Sequence, residues 1–192
     1  LKNIKVYYLN NYNNEIIKKK IKKLDLKKII FLKKNEIKKI IDENSLVNNY
    51  EVFKQYPSTL DIKLEKTDLL AKINIKGETL VIGSNGKLLQ NYLTDQSLPY
   101  IFGKPEILEF LKFKNDIDNS KVSYQKIKNI YFFNSRRWDI ELHDNVLIKL
   151  SKINPSLSLN TAFTILNDKN NNNVKIIDLR VNNQIIVNDK RI

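Results

Sequence analysis

Apolar and charged residues alternate strictly through Leu60-Asp61-Ile62-Lys63-Leu64-Glu65, the pattern of a strand with one face buried. Just before it, Tyr56-Pro57-Ser58-Thr59 interrupts "NYEVFKQ"; Pro57 cannot donate to a ladder and its fixed φ suits a turn, so the two runs predict a hairpin. Upstream, Ile4, Val6 and Tyr8 alternate in "IKVYYL", and "NNYNN" then supplies turn and cap residues before the period changes. Ile17, Ile21 and Leu24 recur at helical spacing while Lys18, Lys19, Lys22 and Lys23 cover the other faces. A second short helix is expected in "LKKNEIKKIIDENSL", with Ile37, Ile40 and Ile41 inward and Asn35 as its cap beside the acidic Glu36. The order is strand, helix, helix, strand, strand: two helices on one face of a small three-stranded sheet.

After Thr67 the texture turns to short strands. "LLAKINIK" and "ETLVIG" are followed by a turn at Ser84-Asn85-Gly86 and by "KLLQ", Asn-Gly being a strong hairpin signal. "LPYIFGKP" reads as a loop, and residues 106–114 as a helix with Ile107, Leu108 and Leu111 inward. Strands follow in "IKNIYFF", "RWDIELH" and "VLIKLS", the last two joined at Asp144-Asn145. A further helix begins near Pro155, "KNNNN" is a polar loop, and "VKIIDLRV" and "QIIVN" end the chain as strands. The fold class is α+β: a β-α-α-β-β module over residues 1–66, then a strand-rich β domain with flanking helices over 67–192.

Composition adds charge to this picture. With 192 residues and 42% hydrophobic content, the chain is long enough to bury roughly 70% of its unfolded surface. The net charge of +13 raises an anionic partner as a hypothesis, although lysine, isoleucine and asparagine rise together as AT-rich coding produces, which accounts for many lysines without a binding role. Residues 1–66 carry 16 basic and 8 acidic side chains. The absence of cysteine excludes disulfides, thiolate metal sites and cysteine nucleophiles. No run approaches the roughly 20 apolar residues that span a bilayer. There is no methionine, even at position 1, so the chain is expected to be a piece of a longer protein whose anchor or export signal precedes Leu1.

Catalytic chemistry has little to draw on. His143 is the one histidine and lies at a hairpin tip beside Asp144, where a solvated turn residue is the plainer reading. Gly77, Gly83, Gly86 and Gly103 fall in turns and build no phosphate loop, and no cofactor or metal site is expected. "KKKIKK" with Tyr7, Tyr8, Tyr12 and Tyr50 suggests nucleic acid, but these lysines surround their helix instead of forming one stripe. Arg136 and Arg137 stand out, because only four arginines occur and these two are adjacent, just before Trp138. Arginine offers carboxylates a planar fork, here for an internal acid or for a partner's. Trp138 alternates with Ile140 and Leu142 and is expected in the core.

Several stretches, taken in order, resemble one family. "YEVFKQYPSTLDIKLEKTDLLAKI", with Tyr56-Pro57, the Leu60, Ile62, Leu64 strand, Glu65 and Ala71, is similar to the end of a POTRA domain and the start of the next domain in the bacterial cell-division FtsQ/DivIB family. "LVIGSNGKLL", "LPYIFG", "RRWDIELHDNVLIKL" and "VKIIDLRVNNQIIV" resemble later motifs of that family in the same order. The resemblance implies the extracytoplasmic, periplasm-facing part of a single-pass inner-membrane protein at the division septum. It implies a scaffold and no enzyme, linking early division proteins to septal peptidoglycan synthesis.

The partners implied are FtsB and FtsL, with other division proteins meeting the POTRA module and nucleic acid not among them. In the family, FtsB adds a strand to the last sheet edge, aided by basic residues. A terminal edge strand presents unpaired amides and carbonyls, which suits that mode. Carried over, the contact set is Arg136, Arg137, Arg180, Val181, Asn183, Gln184, Ile185, Ile186 and Val187. Val181 replaces an aromatic residue and Gln184, Ile185 and Ile186 stand where small residues are common. The competing readings are a POTRA-containing secretion or outer-membrane assembly protein, which would continue into more repeats or a barrel, and a basic nucleic-acid-binding protein, which would show an uninterrupted basic face.

Overall fold

The computed structural model describes residues 3–24, 34–90, 97–168, 173–181 and 184–188. The chain forms two compact units, Leu1–Leu69 with Gly83–Leu89, and Leu70–Ile82 with Gln90–Ile192.

The first unit contains β1 (Asn3–Tyr7), α1 (Asn11–Lys22), α2 (Lys34–Asp42), β2 (Val47–Gln55) and β3 (Thr59–Lys66). The central strand β3 pairs parallel with β1, Ile4 opposite Leu60 and Val6 opposite Ile62, and antiparallel with β2, Val52 opposite Ile62. The alternation of β3 sends Leu60, Ile62 and Leu64 into one core with Ile17 and Ile21 of α1 and Ile37 and Ile41 of α2. This is the β-α-α-β-β module expected from the periodicities. Asn10 caps α1 through its side-chain oxygen, which accepts from Asn13 N at 2.9 Å. Two local readings change: Tyr8 leaves β1 with φ of 78°, and α2 starts at Lys34, so Asn35 lies inside the helix. The segment Gly83–Leu89, with the two-residue strand β6 (Leu88–Leu89), is grouped with this unit. There Asn85 donates to the carbonyls of Ser45 and Val47 at 2.9 and 2.8 Å.

The second unit is built from β4 (Leu69–Ile75), β5 (Glu78–Gly83), β7 (Tyr100–Phe102), α3 (Ile107–Asp118), β8 (Ile127–Phe132), β9 (Trp138–Leu142), β10 (Leu147–Lys149), α4 (Pro155–Leu166), β11 (Ile176–Asp178) and β12 (Ile186–Asn188). Its strands hydrogen bond in the order β12-β11-β10-β9-β8-β7-β4-β5. Ile73, Ile101, Ile130, Ile140, Ile148 and Ile177, one from each of six strands, are buried almost completely. Trp138 joins them as expected, with its ring stacked on Phe113 of α3 at 4.5 Å and 3°.

Two expectations are corrected here. "LPYIFG" holds a strand, β7, parallel to both β4 and β8. Only three residues pair between Pro99 and Gly103, so turn-forming residues on both sides masked it. Helix α3 runs to Asp118 and buries Phe110, Phe113 and Ile117, whereas Leu108 is 72% exposed. Positions 110, 113 and 117 share helical spacing with the stripe expected from Ile107 and Leu111, and the larger aromatic rings meeting Trp138 decide which way the helix turns.

Candidate partner-binding edge

Strand β12 lies at the end of the sheet. It pairs antiparallel with β11, Ile177 opposite Val187 and Asp178 opposite Ile186, and among the described residues no strand pairs with its other side. Facing residues of a ladder share a face, so Ile186 stands beside Asp178 while Val187 stands beside the buried Ile177. Ile185, Ile186 and Val187 are 54%, 44% and 38% exposed. An edge this apolar is one that soluble proteins ordinarily protect.

Arg180 closes the end of β11. Its Nε donates to Asp178 Oδ1 at 2.8 Å and its Nη2 to Oδ2 at 2.6 Å, while its backbone N–H donates to Oδ1 at 3.2 Å. Lys149 Nζ stands 3.9 Å from the same carboxylate. Burial alone would raise the Asp178 carboxyl, but the Arg180 bonds and the two cationic charges together hold it below its ordinary value. The same contact raises the Arg180 guanidinium.

Arg137 turns inward. Its Nε and Nη2 donate to the two oxygens of Asp139 at 3.1 and 3.2 Å, and its guanidinium lies 4.3 Å from the Phe133 ring centre. Asp139 is buried and also accepts from Leu150 N at 3.2 Å. Burial pushes its carboxyl up, opposed by Arg137 and by the Leu150 amide. Arg136 occupies the β8–β9 turn with φ of 62°, and its largely exposed side chain donates to Glu109 Oε1 at 3.0 Å.

Of the sequence-derived contact set, Arg137, Arg180, Val181, Gln184 and Ile186 converge with Asp178 on a depression of about 300 Å³. On the α4 side of the edge, Val181, Gln184 and Ile185 line a second depression of about 250 Å³ with Leu157, Ser158, Thr161 and Leu179. Arg136 lines neither, and Asn183 lies outside the described residues. Leu157, 64% exposed, was not foreseen. Its signal was present in "PSLSLNTAFTIL", a helix apolar on more sides than one buried stripe uses. Asp178 was also missed, although an acid two residues before an arginine on one strand face predicts such a pair. Chemically the arrangement offers backbone pairing, apolar pockets and fixed cations. Among the described residues, no cluster of three His, Asp or Glu side chains could hold a metal ion.

Residues 71–180 match the family model described as Cell division protein FtsQ/DivIB, C-terminal, and residues 1–67 match the POTRA domain, FtsQ-type. The chain is 35% identical to cell division protein DivIB of Staphylococcus aureus over 92 residues, which is 45% of this chain and 21% of that protein. It is 26% identical to cell division protein FtsQ of Rickettsia bellii over 173 residues, 87% of this chain and 65% of that protein. The match therefore spans about a fifth of the staphylococcal protein and just under two thirds of the rickettsial one. The solved extracytoplasmic domain of DivIB from Geobacillus stearothermophilus aligns with a TM-score of 0.41 at 12% identity, covering 53% of this chain and 92% of that one.

Proposed function

The chain belongs to the FtsQ/DivIB family of cell division proteins, and from that premise we propose that it is a non-enzymatic divisome scaffold that takes a strand from its partner at β12. The POTRA module is assigned to residues 1–66 and the β domain to 67–192. The partner is an FtsB-type protein, held together with FtsL, and the scaffold faces the periplasm beside an inner-membrane anchor at the septum.

The observation that carries the reading is the side of β12 on which no strand pairs among the described residues, flanked by two depressions and by Arg180. Strand addition takes its affinity from backbone bonds and its specificity from pockets for alternate side chains. Ile186 and Ile185 border different depressions, so successive residues of an added strand meet different walls. Arg180 is 45% exposed while bound to Asp178, leaving donor capacity for a partner's acid.

The test is calorimetric titration of the chain with the extracytoplasmic segment of its own organism's FtsB. Binding that β12 variants abolish supports the reading. No binding at moderate salt, together with retained binding to RNA, rejects it in favour of a nucleic-acid role for the lysines.

A further inference from the structure

We propose that the outer face of helix α1 docks the first unit against a bilayer surface rich in anionic phospholipid. This face lies in a different unit from β12 and does not use the strand-addition site. Ile17 and Ile21 turn inward and are 1% exposed, so the apolar stripe of α1 is already taken by the core and cannot insert into a membrane. The opposite side remains. Tyr12, Lys19 and Lys23 stand seven and eleven residues apart, which places them on one side of a helix with a 3.6-residue period, and Lys22 is adjacent to Lys19 at the i+3 position. All four are exposed, Tyr12 to 75%.

The other α1 lysines are committed. Lys18 pairs with Glu15 at 2.9 Å and Lys20 with Glu43 at 2.7 Å. Among the described residues, no carboxylate lies within ion-pair distance of Lys19, Lys22 or Lys23. Glu15 lies on the same side and feels the charges of Lys19 and Lys22, but its hydrogen bond goes to Lys18, so the face keeps a net positive charge from three exposed lysines against one shared carboxylate.

A flat anionic surface complements that arrangement. Lysine stems reach it while their ammonium groups stay hydrated, and a tyrosine suits the headgroup layer, with an apolar ring and a polar tip. Single-stranded nucleic acid calls instead for a groove with several stacking rings. Because the attraction is electrostatic and peripheral, it weakens as the Debye length shortens from about 30 Å at 0.01 M salt to 8 Å at 0.15 M.

The experiment is co-sedimentation of the whole chain with vesicles of phosphatidylglycerol and phosphatidylcholine, with pure phosphatidylcholine for comparison. Three variants are compared with the parent: Lys19→Gln/Lys22→Gln/Lys23→Gln, Tyr12→Ser, and a control with the same charge change, Lys112→Gln/Lys126→Gln/Lys152→Gln. The expected result is salt-sensitive binding to the anionic vesicles only. The α1 triple variant should weaken it roughly 100-fold, Tyr12→Ser a few-fold, and the control triple much less. Equal losses in the two triples would make the effect one of net charge and overturn the proposal. So would failure of the parent to bind anionic vesicles, or tighter binding of polyuridylate through the same three lysines. Titration with FtsB reads β12 separately, so either result can stand while the other fails.

Discussion

Arg180 holds the carboxylate of Asp178 through two side-chain nitrogens at 2.6 and 2.8 Å, two residues apart at the end of β11. Asp178 faces Ile186 across the ladder, so this pair fixes the cation beside the first residue of the edge strand. A partner's acid would meet a guanidinium that is already oriented, which lowers the ordering cost of binding.

Replacing Arg180 with alanine should therefore separate binding from stability. The guanidinium is half exposed, and its loss should cost less than about 1 kcal/mol of folding free energy. Affinity for the FtsB segment should fall about tenfold or more, mostly through faster dissociation. Thermal denaturation and calorimetry on one preparation distinguish the two; a large drop in stability with unchanged affinity would assign Arg180 to folding instead.

Asp178 also makes an acid-side prediction. Its folded carboxyl lies below its ordinary value of 3.8, so it contributes stability above pH 3.8 that is lost as the pH falls through the lower folded value. Asp178→Asn should be less stable at neutral pH and should lose less than the parent on acidification below pH 3.8. Parallel acid-unfolding curves for the two proteins would contradict this.

Arg136 and Arg137 are neighbours in sequence but should behave oppositely. Arg137→Ala leaves the buried Asp139 without its guanidinium and should cost about 1–3 kcal/mol, whereas Arg136→Ala, at an exposed ion pair, should cost under about 1 kcal/mol. Asp139 already has its carboxyl raised by burial, and removing Arg137 raises it further. A raised folded value favours the fold as the pH drops, so the Arg137→Ala deficit should shrink on acidification. Urea unfolding at two pH values measures it.

Much of the architecture was legible because period and burial agree. The alternation in β3 and the helical spacing of Ile17 and Ile21 in α1 each admit one face only, and both define the first core, against which Leu24, just past the helix, also packs. The orientation of α3 was not legible, since two overlapping stripes satisfy helical spacing and the choice rests on Trp138, 25 residues beyond Phe113 in sequence and stacked upon it in space. The apolar run "QIIVN" made the strand β12 legible, and the pairing order places it at the edge. Its flanking depressions were not legible: one is walled by α4, whose Leu157 faces outward in a segment that reads simply as apolar, and the other by Arg137 of the distant β8–β9 turn. Nor does adjacency of two arginines say which one turns inward; that is decided by Asp139 lying beyond Trp138 on the same strand face as Arg137.

Gly103 illustrates a constraint that side-chain pattern cannot carry. Its φ is 107°, and an added Cβ would collide with the carbonyl oxygen of Phe132 on β8, the strand that β7 accompanies. Gly103→Ala should destabilise the chain by about 2 kcal/mol or more, combining left-handed strain with a clash that only backbone movement relieves. Gly77, at φ of 91° and with nothing within 4 Å of where a methyl group would sit, should lose less on the same change. Equal losses in thermal melts would reduce the Gly103 effect to conformation alone.

Proline substitutions along β12 give the sharpest test of strand addition. Backbone N–H groups of an edge strand point alternately toward its neighbour and toward the open side. Ile186 and Val187 therefore direct their amides in opposite directions, one into the β11 ladder and one outward. Proline at the inward position removes a ladder bond and should lower folding stability, whereas proline at the outward position is tolerated on an edge and should leave stability nearly unchanged. If the partner adds a strand, the outward proline removes a donor it needs and should abolish binding in a protein that is still folded. Amide exchange identifies which residue is which, through protection in the free chain. Retained FtsB binding by the outward-facing proline variant would mean that the partner uses the side-chain depressions without backbone pairing.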